Sequence, residues 1–194
     1  RSILQSVLVL GVSSFPNLGV CECVVNVKDY GAISNTASSS QHGAFQAAIA
    51  AALSDGCNAV YVPVGTYYLD GQVHFNHWRS NFQGIDLPSN FHLILAPGAV
   101  LKAIHQPGNF GYILIRAYNV HDVTISGGTL LGEKDQHYVP DFAENCIGLD
   151  IRGSRRVTVE DLTSVQHWAY GAYTSRCESS PSIVSGEALC PPGD

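Results

Sequence analysis

Three segments of the chain repeat one pattern of apolar and polar positions. Residues 60–71 read VYVPVGTYYLDG, residues 93–104 read LILAPGAVLKAI, and residues 123–134 read VTISGGTLLGEK. In each segment, two or three alternations of apolar and polar residues lead to Pro or Gly and then to a second apolar pair. A period of two is typical of β-strands, and Pro or Gly marks the turn between them. The pattern therefore predicts pairs of short strands.

Alignment of these segments gives a repeat with offsets of 33, 30 and 34 residues. Because one coil of a solenoid cannot bury its apolar face alone, such repetition predicts stacked coils. Strands of successive coils should pair in parallel, about 4.8 Å apart. We expect about four to six coils. The aligned columns are Val60, Leu93, Val123 and Val157, all expected to be buried; Val62, Leu95, Ile125 and Val159, also expected to be buried; and the turn glycines Gly65, Gly98 and Gly128.

One segment has the period of a helix instead. Residues 39–53 are predicted to be helical, with Ser38 and Gln41 as a capping box and Gly56 at the end. The sequence has no Asn-Gly hairpin turn and no helices between the later strands, which disfavours a sandwich and a doubly wound sheet. A parallel β-helix whose N-terminal end is covered by this helix fits best. The apolar stripe of the helix comprises Phe45, Ala48, Ile49, Ala52 and Leu53.

Composition divides the chain into three parts. Residues 1–20 contain Arg1, an apolar run over 3–12 and then Ser, Pro and Gly, the layout of a signal peptide. A buried N-terminal strand or helix is the alternative, and the run is too short to indicate a membrane span. We predict a β-helix domain over 21–174 and an irregular tail over 175–194. Without a second cap, the last coil would expose apolar surface through which two copies could associate.

The net charge bears on which partners the protein can bind, and the charge and cysteine content bear on its compartment. The net charge of −6 and the lack of a basic cluster argue against nucleic acid and anionic membranes as partners. Only 13% of the residues are charged, which suits a secreted, β-rich protein. Disulfides are expected in such a protein, but their pairing stays open, and paired Cys-x-x-Cys motifs for structural zinc are lacking. The six cysteines are Cys21, Cys23, Cys57, Cys146, Cys177 and Cys190.

Longer motifs resemble a known superfamily. The opening VNVKDYGA, the Ala-rich helix and AVYVPVGTYYL are similar to the N-terminal part of pectate-lyase superfamily proteins, an opening shared by polygalacturonase-like hydrolases, alginate epimerases and some phage tailspikes. SGGTLLGEKDQH and IRGSRRVTVEDLTSVQHWAYGAY resemble later coils, so the similarity covers residues 25–174. It implies an all-β fold, a right-handed single-stranded parallel β-helix with an N-terminal capping α-helix, and a polysaccharide as substrate.

The chain also departs from that family's pattern. Asn35 and the serines at 38–40 stand where relatives usually carry Gly-Asp-Gly and paired Asp. Relatives commonly have Trp-Gly-Asp-Gly where this chain has Trp168, Ala169, Tyr170 and Gly171, and a tyrosine cannot replace a carboxylic acid near neutral pH. The chain therefore resembles a truncated or divergent member, and an incomplete active site has to be considered.

Candidate site residues follow from stacking the coils. The offsets place Glu133 beside Ala103 and His167, and Asp135 beside His105, with His137 pointing the same way as Asp135. The alternative is that these are solvated residues at a coil corner. The predicted catalytic residues are Asp135, His137 and Glu133, and the predicted substrate-binding residues are His105, Arg152, Arg155, His167 and Trp168.

Two function classes stay open at this point. Carboxylates in such a patch could act as an acid–base pair on a glycosidic bond. They could instead hold Ca²⁺ that neutralises a uronate, while Lys134, Arg152 or Arg155 abstracts a proton. No other cofactor is implied. The first class is thus a secreted enzyme acting on an acidic polysaccharide by elimination or hydrolysis; the second is a non-catalytic β-helix that binds glycan or is structural.

Overall fold

The computed structural model describes residues 23–37, 39–74, 84–105, 110–136 and 146–175. In these residues the chain winds as a right-handed parallel β-helix, which confirms the predicted fold class. Each coil contributes strands to three sheets, called A, B and C here in the order in which the chain meets them. Apolar side chains from all three sheets meet in one core between them.

Four coils follow a short N-terminal region. This region consists of β1 (Val25–Asn26), a 3₁₀ helix (Val27–Tyr30) and α1 (His42–Ser54). The coils consist of β2 (Ala59–Val62), β3 (Gly65–Leu69), β4 (Gln72–His74) and β5 (Ile85–Asp86); β6 (Phe91–Leu95), β7 (Ala99–Ala103) and β8 (Phe110–Tyr118); β9 (His121–Ser126), β10 (Thr129–Leu131) and β11 (Cys146–Arg152); and β12 (Arg155–Glu160), β13 (Thr163–Val165) and β14 (Tyr170–Ser175).

The strand register confirms the first and third offsets and corrects the second. Val60 pairs with Leu93, and Ile125 pairs with Val159, at the predicted offsets of 33 and 34. Leu93, however, pairs with Ile125 and not with Val123, so the second offset in sheet A is 32. Because the error is an even number of residues, the inward-facing side chains were still assigned correctly.

A shortened corner between sheets A and B causes this error. Ile94 and Val100 lie six residues apart, but their partners Ser126 and Thr129 lie only three apart. The short corner is made by Gly127 and its neighbour Gly128, whose φ angles of 74° and 68° favour glycine. Aligning Gly98 with Gly128 assumed corners of equal length, which the chain does not have.

Burial follows the prediction in the first three coils and fails in the fourth. Val60, Leu93 and Ile125 are fully buried, whereas Val157 is half-buried and Val159 is 42% exposed. In the described part of the chain no strand pairs with the outer edge of β12, so no further coil covers these two valines on that side. Self-association through this coil stays a prediction, and residues 176–194 of the predicted tail lie outside those described.

Sheet C departs from all-parallel pairing in the first coil. β4 pairs with β8 antiparallel, and β5 then pairs with β8 in parallel. The chain turns at Gly71, which has a φ of 59° and whose carbonyl accepts a 2.9 Å hydrogen bond from the backbone N–H of Ile113.

The N-terminal helix forms and packs against the first coil. It begins at His42 rather than at residue 39, so Gln41 is the residue before the helix and not part of its first turn, as the predicted capping box required; Ser38, the other residue of that box, lies outside the described residues. The Ser40 hydroxyl instead accepts from the backbone N–H of His42 at 3.3 Å. Phe45 is fully buried with its ring edge against Tyr67, at 5.7 Å between centroids. No helix in the described residues is long and apolar enough to cross a membrane.

A disulfide ties the N-terminal region to the first coil. Cys23 and Cys57 are bonded, with Cα atoms 4.9 Å apart and a sequence separation of 34. The bond joins the residues next to β1 and β2, which are paired strands, so it closes the loop that contains α1.

Loss of this disulfide should destabilise the protein. A closed loop of this length contributes roughly 3–4 kcal/mol to the free energy of unfolding, because it restricts the unfolded chain. We expect reductant to lower the midpoint of thermal unfolding of the wild type to that of a Cys23→Ser/Cys57→Ser variant. Reductant should leave the variant unchanged; a further drop in the variant would point to another bond.

Neighbouring residues on one strand test the assignment of faces. Leu93 is fully buried, and Ile94, next to it, is half-buried on the opposite face of β6. We expect Leu93→Ala to reduce the free energy of unfolding by about 2–5 kcal/mol, because it leaves a cavity. Ile94→Ala should cost clearly less. Equal losses in chemical denaturation would contradict the orientation of this strand.

Candidate functional site

The corner where the chain leaves sheet B for sheet C brings three predicted residues together. His105 follows β7, Glu133 follows β10 and His167 follows β13, two residues beyond the strand in each case. Leu131 pairs with Val165, which carries Glu133 and His167 into neighbouring positions on successive coils. The predicted neighbourhood of Glu133 and His167 agrees with this register.

Glu133 and His105 form the central pair of the corner. Nδ1 of His105 lies 2.9 Å from Oε2 of Glu133. The Glu133 side chain is 2% exposed and the His105 side chain 41% exposed. A buried carboxylate thus holds an imidazole ring that reaches solvent. His105 was predicted to lie beside Asp135. The second-to-third-coil offset is 29 in sheet B, one less than predicted, which puts His105 level with Lys134, and the side chain it contacts is that of the neighbouring Glu133.

His167 lies inside the corner and contacts two hydroxyl groups. Its Nδ1 is 3.1 Å from the Tyr112 hydroxyl, and its Nε2 is 3.1 Å from the Ser164 hydroxyl. The Ser164 hydroxyl in turn donates to the Gly171 carbonyl at 2.7 Å. His167 was predicted to contact substrate, but it is only 9% exposed and its ring nitrogens already have partners.

Burial perturbs the ionisable groups of this corner. It lowers the pKa of His167 to about 4, although a hydrogen bond to the Leu130 carbonyl acts in the opposite direction. Burial raises the pKa of Cys146 to about 12, and the charge of Glu133 adds to this effect. It also raises the pKa of Tyr112, with the charges of Cys146 and Glu133 contributing. At neutral pH, His167, Cys146 and Tyr112 are therefore uncharged.

Two glycines make room for the buried groups. A Cβ atom on Gly132 would lie 2.5 Å from the Tyr112 hydroxyl, and one on Gly148 would lie 2.7 Å from Nε2 of His167. Both distances are shorter than real Cβ contacts allow, and backbone atoms lie equally close to each position. The corner is thus packed around Tyr112 and His167 without room for an additional methyl group.

The other predicted members of the patch lie differently. Asp135 is exposed in the turn after Glu133, and the side chain that His105 contacts is that of Glu133. His137 lies outside the described residues. Trp168 is 37% exposed, and its backbone N–H points to the Tyr112 hydroxyl. The catalytic role predicted for Asp135 and His137 stays a prediction.

Arg152 and Arg155 lie at a different corner. Arg152 ends β11, six residues after Cys146 and therefore about 20 Å along the strand from the Glu133 corner. Arg155 begins β12 and is exposed. The structure does not bring these arginines to the patch. The prediction placed them there because sequence offsets give positions along a coil but do not tell which corner a residue occupies. Their predicted role as substrate contacts stays untested.

Arg152 takes part in a second polar group on sheet C. Its Nε donates to Oδ1 of Asp150 at 2.7 Å, and its guanidinium lies 4.7 Å from the ring centroid of Tyr173. Asp150 is 1% exposed. Burial raises the pKa of Asp150, while the guanidinium groups of Arg152 and Arg116 act in the opposite direction. These contacts hold Arg152 at the surface of the sheet.

Two central residues of the corner were missed from the sequence. Tyr112 and Ser164 were not singled out, since a lone Tyr or Ser in a strand carries no chemical motif. Tyr112 precedes Cys146 by 34 residues and pairs with it. Extending the alignment from sheets A and B into sheet C could have found this pairing.

Metal binding receives no support from the described side chains. Among the residues that the structure describes, no group of three or more His, Cys, Asp or Glu side chains is placed to hold a metal ion. The predicted Ca²⁺ therefore has no identified ligand set.

Similar proteins share the fold of this chain. The surface adhesin PfbA of Streptococcus pneumoniae superposes with a TM-score of 0.53 at 22% identity, over 72% of this chain and 33% of that one. An iota-carrageenase complexed to iota-carrageenan fragments gives a TM-score of 0.53 at 19% identity, over 74% and 29%. At these identities the likeness shows the fold alone.

A curated relative is similar in sequence. The uncharacterized protein YclG of Bacillus subtilis (strain 168) is 27% identical over 149 residues, which cover 74% of this chain and 25% of the relative. The chain thus spans about a quarter of the length of this relative.

The family assignment rests on the N-terminal half of the domain. The family model described as rhamnogalacturonase A/epimerase, pectate lyase-like matches residues 24–121, half of the chain. This segment includes α1, the first two coils and His105, and it ends before Glu133. The match and the right-handed winding of the coils agree, and the chain belongs to the rhamnogalacturonase A/epimerase, pectate lyase-like family.

Proposed function

We propose that the protein is a secreted enzyme that acts on an acidic polysaccharide, with His105 and Glu133 as its acid–base pair. The observation that carries the proposal is the 2.9 Å contact between a buried carboxylate and a half-exposed imidazole. His105 is the member that can touch a sugar chain, because its ring reaches solvent. Glu133 fixes the orientation of that ring and balances its charge when it is protonated.

This pair suits either of two ways to cleave a glycosidic bond. In elimination, His105 takes the proton next to the uronate carboxylate, a C=C double bond forms as the bond to the leaving oxygen breaks, and that oxygen takes a proton from water. In hydrolysis, protonated His105 donates its proton to that oxygen while water attacks the sugar and releases its own proton to the solvent. In both, the imidazole of His105 contacts the substrate and transfers the proton.

The comparisons support polysaccharide as the substrate class. The family's description names a rhamnogalacturonase and an epimerase, and one structural neighbour is a carrageenase complexed to carrageenan fragments. The Cys23–Cys57 disulfide supports secretion, because such bonds persist in oxidising compartments.

Substitution of the pair tests the proposal. The wild type is given polygalacturonate, rhamnogalacturonan and alginate; near-ultraviolet absorbance reports elimination, and new reducing ends without it report hydrolysis. Glu133→Gln and His105→Gln should each lower the rate by a factor of about 10²–10⁴, as loss of an acid–base group does. Wild-type rates in both variants would refute the assignment.

Asp135→Asn and Glu160→Gln serve as the comparison variants. Asp135 was predicted to be catalytic from the sequence, so loss of activity in Asp135→Asn alone would favour that earlier assignment. Glu160 is an exposed carboxylate at the end of β12, and Glu160→Gln controls for the loss of one negative charge. We expect both variants to keep most of the wild-type rate.

A second candidate, non-catalytic glycan binding, is favoured by the aromatic residues of β14. Tyr170 is 43% exposed, its ring centroid lies 5.5 Å from that of Tyr173, and Arg152 covers Tyr173 from the preceding coil. A row of flat rings with an adjoining guanidinium provides an apolar face and hydrogen-bond donors for a sugar chain. One structural neighbour is a surface adhesin.

Binding measurements separate this candidate from the enzyme. If the wild type leaves all three polymers intact but binds one in calorimetry, the binding function is correct and catalysis is not. Tyr173→Ala should then weaken binding about tenfold or more, because an aromatic contact and the support for Arg152 are lost together. Tyr61→Ala, on sheet A, is the control and should leave binding unchanged.

A further inference from the structure

We propose that Tyr112, His167 and Ser164 are positioning residues that hold Glu133 against His105 through one directional chain of hydrogen bonds. The inference rests on the proposed function for the role of Glu133. The chain itself starts at the backbone of Glu133 and ends at the Gly171 carbonyl on β14, so it joins the third coil to the fourth.

The direction of each hydrogen bond follows from its neighbours. The Ser164 hydroxyl donates its only proton to the Gly171 carbonyl at 2.7 Å. Ser164 can therefore only accept from His167, whose Nε2 must carry the proton. In the neutral ring Nδ1 is then an acceptor, and the Tyr112 hydroxyl donates to it at 3.1 Å. The Leu130 carbonyl, which also contacts the ring, can only accept and therefore shares the Nε2 proton in this arrangement, so the ring has one tautomer.

Tyr112 connects this chain to Glu133. Its hydroxyl oxygen accepts from the backbone N–H groups of Glu133 and Trp168. Because the Tyr112 proton is donated to His167, both lone pairs of the Tyr112 oxygen are left to accept from these two N–H groups. The hydroxyl thus has a partner for its proton and one for each lone pair. The backbone of Glu133 is thus fixed by a group that is itself fixed by the neutral tautomer of His167.

Burial makes the chain sensitive to any missing member. Tyr112 is 1% exposed and His167 9% exposed, so a group left without its hydrogen bond has no solvent to replace it. Gly132 and Gly148 leave no room for the rings to move, since a Cβ atom at either place would meet Tyr112 or His167. The arrangement therefore has one low-energy geometry, and this geometry fixes the position of the Glu133 carboxylate.

Protonation of His167 would break the chain, because Nδ1 would then be a second donor facing the Tyr112 proton. The folded-state pKa of about 4 lies below the ordinary value of about 6.5. The unfolded chain therefore takes up this proton first as the pH falls, and stability is lost from about pH 6.5 down to about 4. Tyr112 and Ser164, which face the ring, do not titrate in this window.

A pH series of thermal unfolding checks the neutral state. The unfolding midpoint of the wild type should fall as the pH is lowered from about 6.5 to about 4. A His167→Gln variant, whose amide can accept from Tyr112 and donate to Ser164, should show a smaller fall, because the titrating group is gone. Equal slopes would mean that the folded protein protonates His167 as readily as the unfolded chain does, so that the ring is not held neutral, which would overturn the chain.

The positioning role is tested by the His105 ring itself, without a substrate. Long-range ¹H–¹⁵N spectra of histidine-labelled protein report the ring nitrogens, and His105→Gln and His167→Gln variants assign the signals. We expect Tyr112→Phe to shift the His105 Nδ1 resonance most of the way to its position in Glu133→Gln. Tyr118→Phe, at the far end of the same strand, is the matched control and should leave it unchanged.

Each outcome of this experiment decides the inference. If Tyr112→Phe alters the His167 signals and leaves His105 at its wild-type position, the chain is only a part of the core and does not position Glu133. If Tyr112→Phe does not fold, Ser164→Ala takes its place and should shift His105 in the same direction by a smaller amount; no shift overturns the inference. On any polymer that is cleaved, Tyr112→Phe should lower kcat by a factor of about 10–100 with little change in KM.

Discussion

Pairing of each coil with the coils before and after it is the constraint on which the structure depends. The backbone groups of an inner strand such as β9 pair along its length with β6 on one side and β12 on the other, and its inward side chains are covered by those of neighbouring coils. Register is therefore fixed along the whole stack. Where the described stack ends, as at Val159, apolar side chains that would otherwise be buried lie exposed.

The candidate site is a consequence of this stacking at one corner. His105, Glu133 and His167 lie about 30 residues apart in sequence and belong to three successive coils. Polar groups brought into the interior in this way have to satisfy one another. Tyr112 and Ser164 provide this for His167, and His105 provides it for one carboxylate oxygen of Glu133, Oε2, while keeping access to solvent.

The sequence predicted the strands, their inward faces and the covering helix, because a period of two and a single helical stripe are local properties. It aligned Leu93 with Val123, two residues before its true partner Ile125. The reason is that the length of a corner depends on the backbone conformation at Gly127 and Gly128. It joined Arg152 and Arg155 to a patch about 20 Å away, since residue offsets do not tell one corner from another. It missed Tyr112, whose importance comes only from its contacts.

Corners of unequal length show where a β-helix of this kind can accept insertions and deletions. From β6 to β9 the offset is 32 residues and from β7 to β10 it is 29, yet both pairs of strands stay in register. Insertions and deletions at a corner are therefore absorbed locally, and the ladders on either side do not slip. The connections from sheet B to sheet C occupy residues 104–109, 132–145 and 166–169, so their lengths already differ widely. This corner is a place where a new loop can be grafted, and a new specificity acquired, while the scaffold that carries Glu133 keeps its shape.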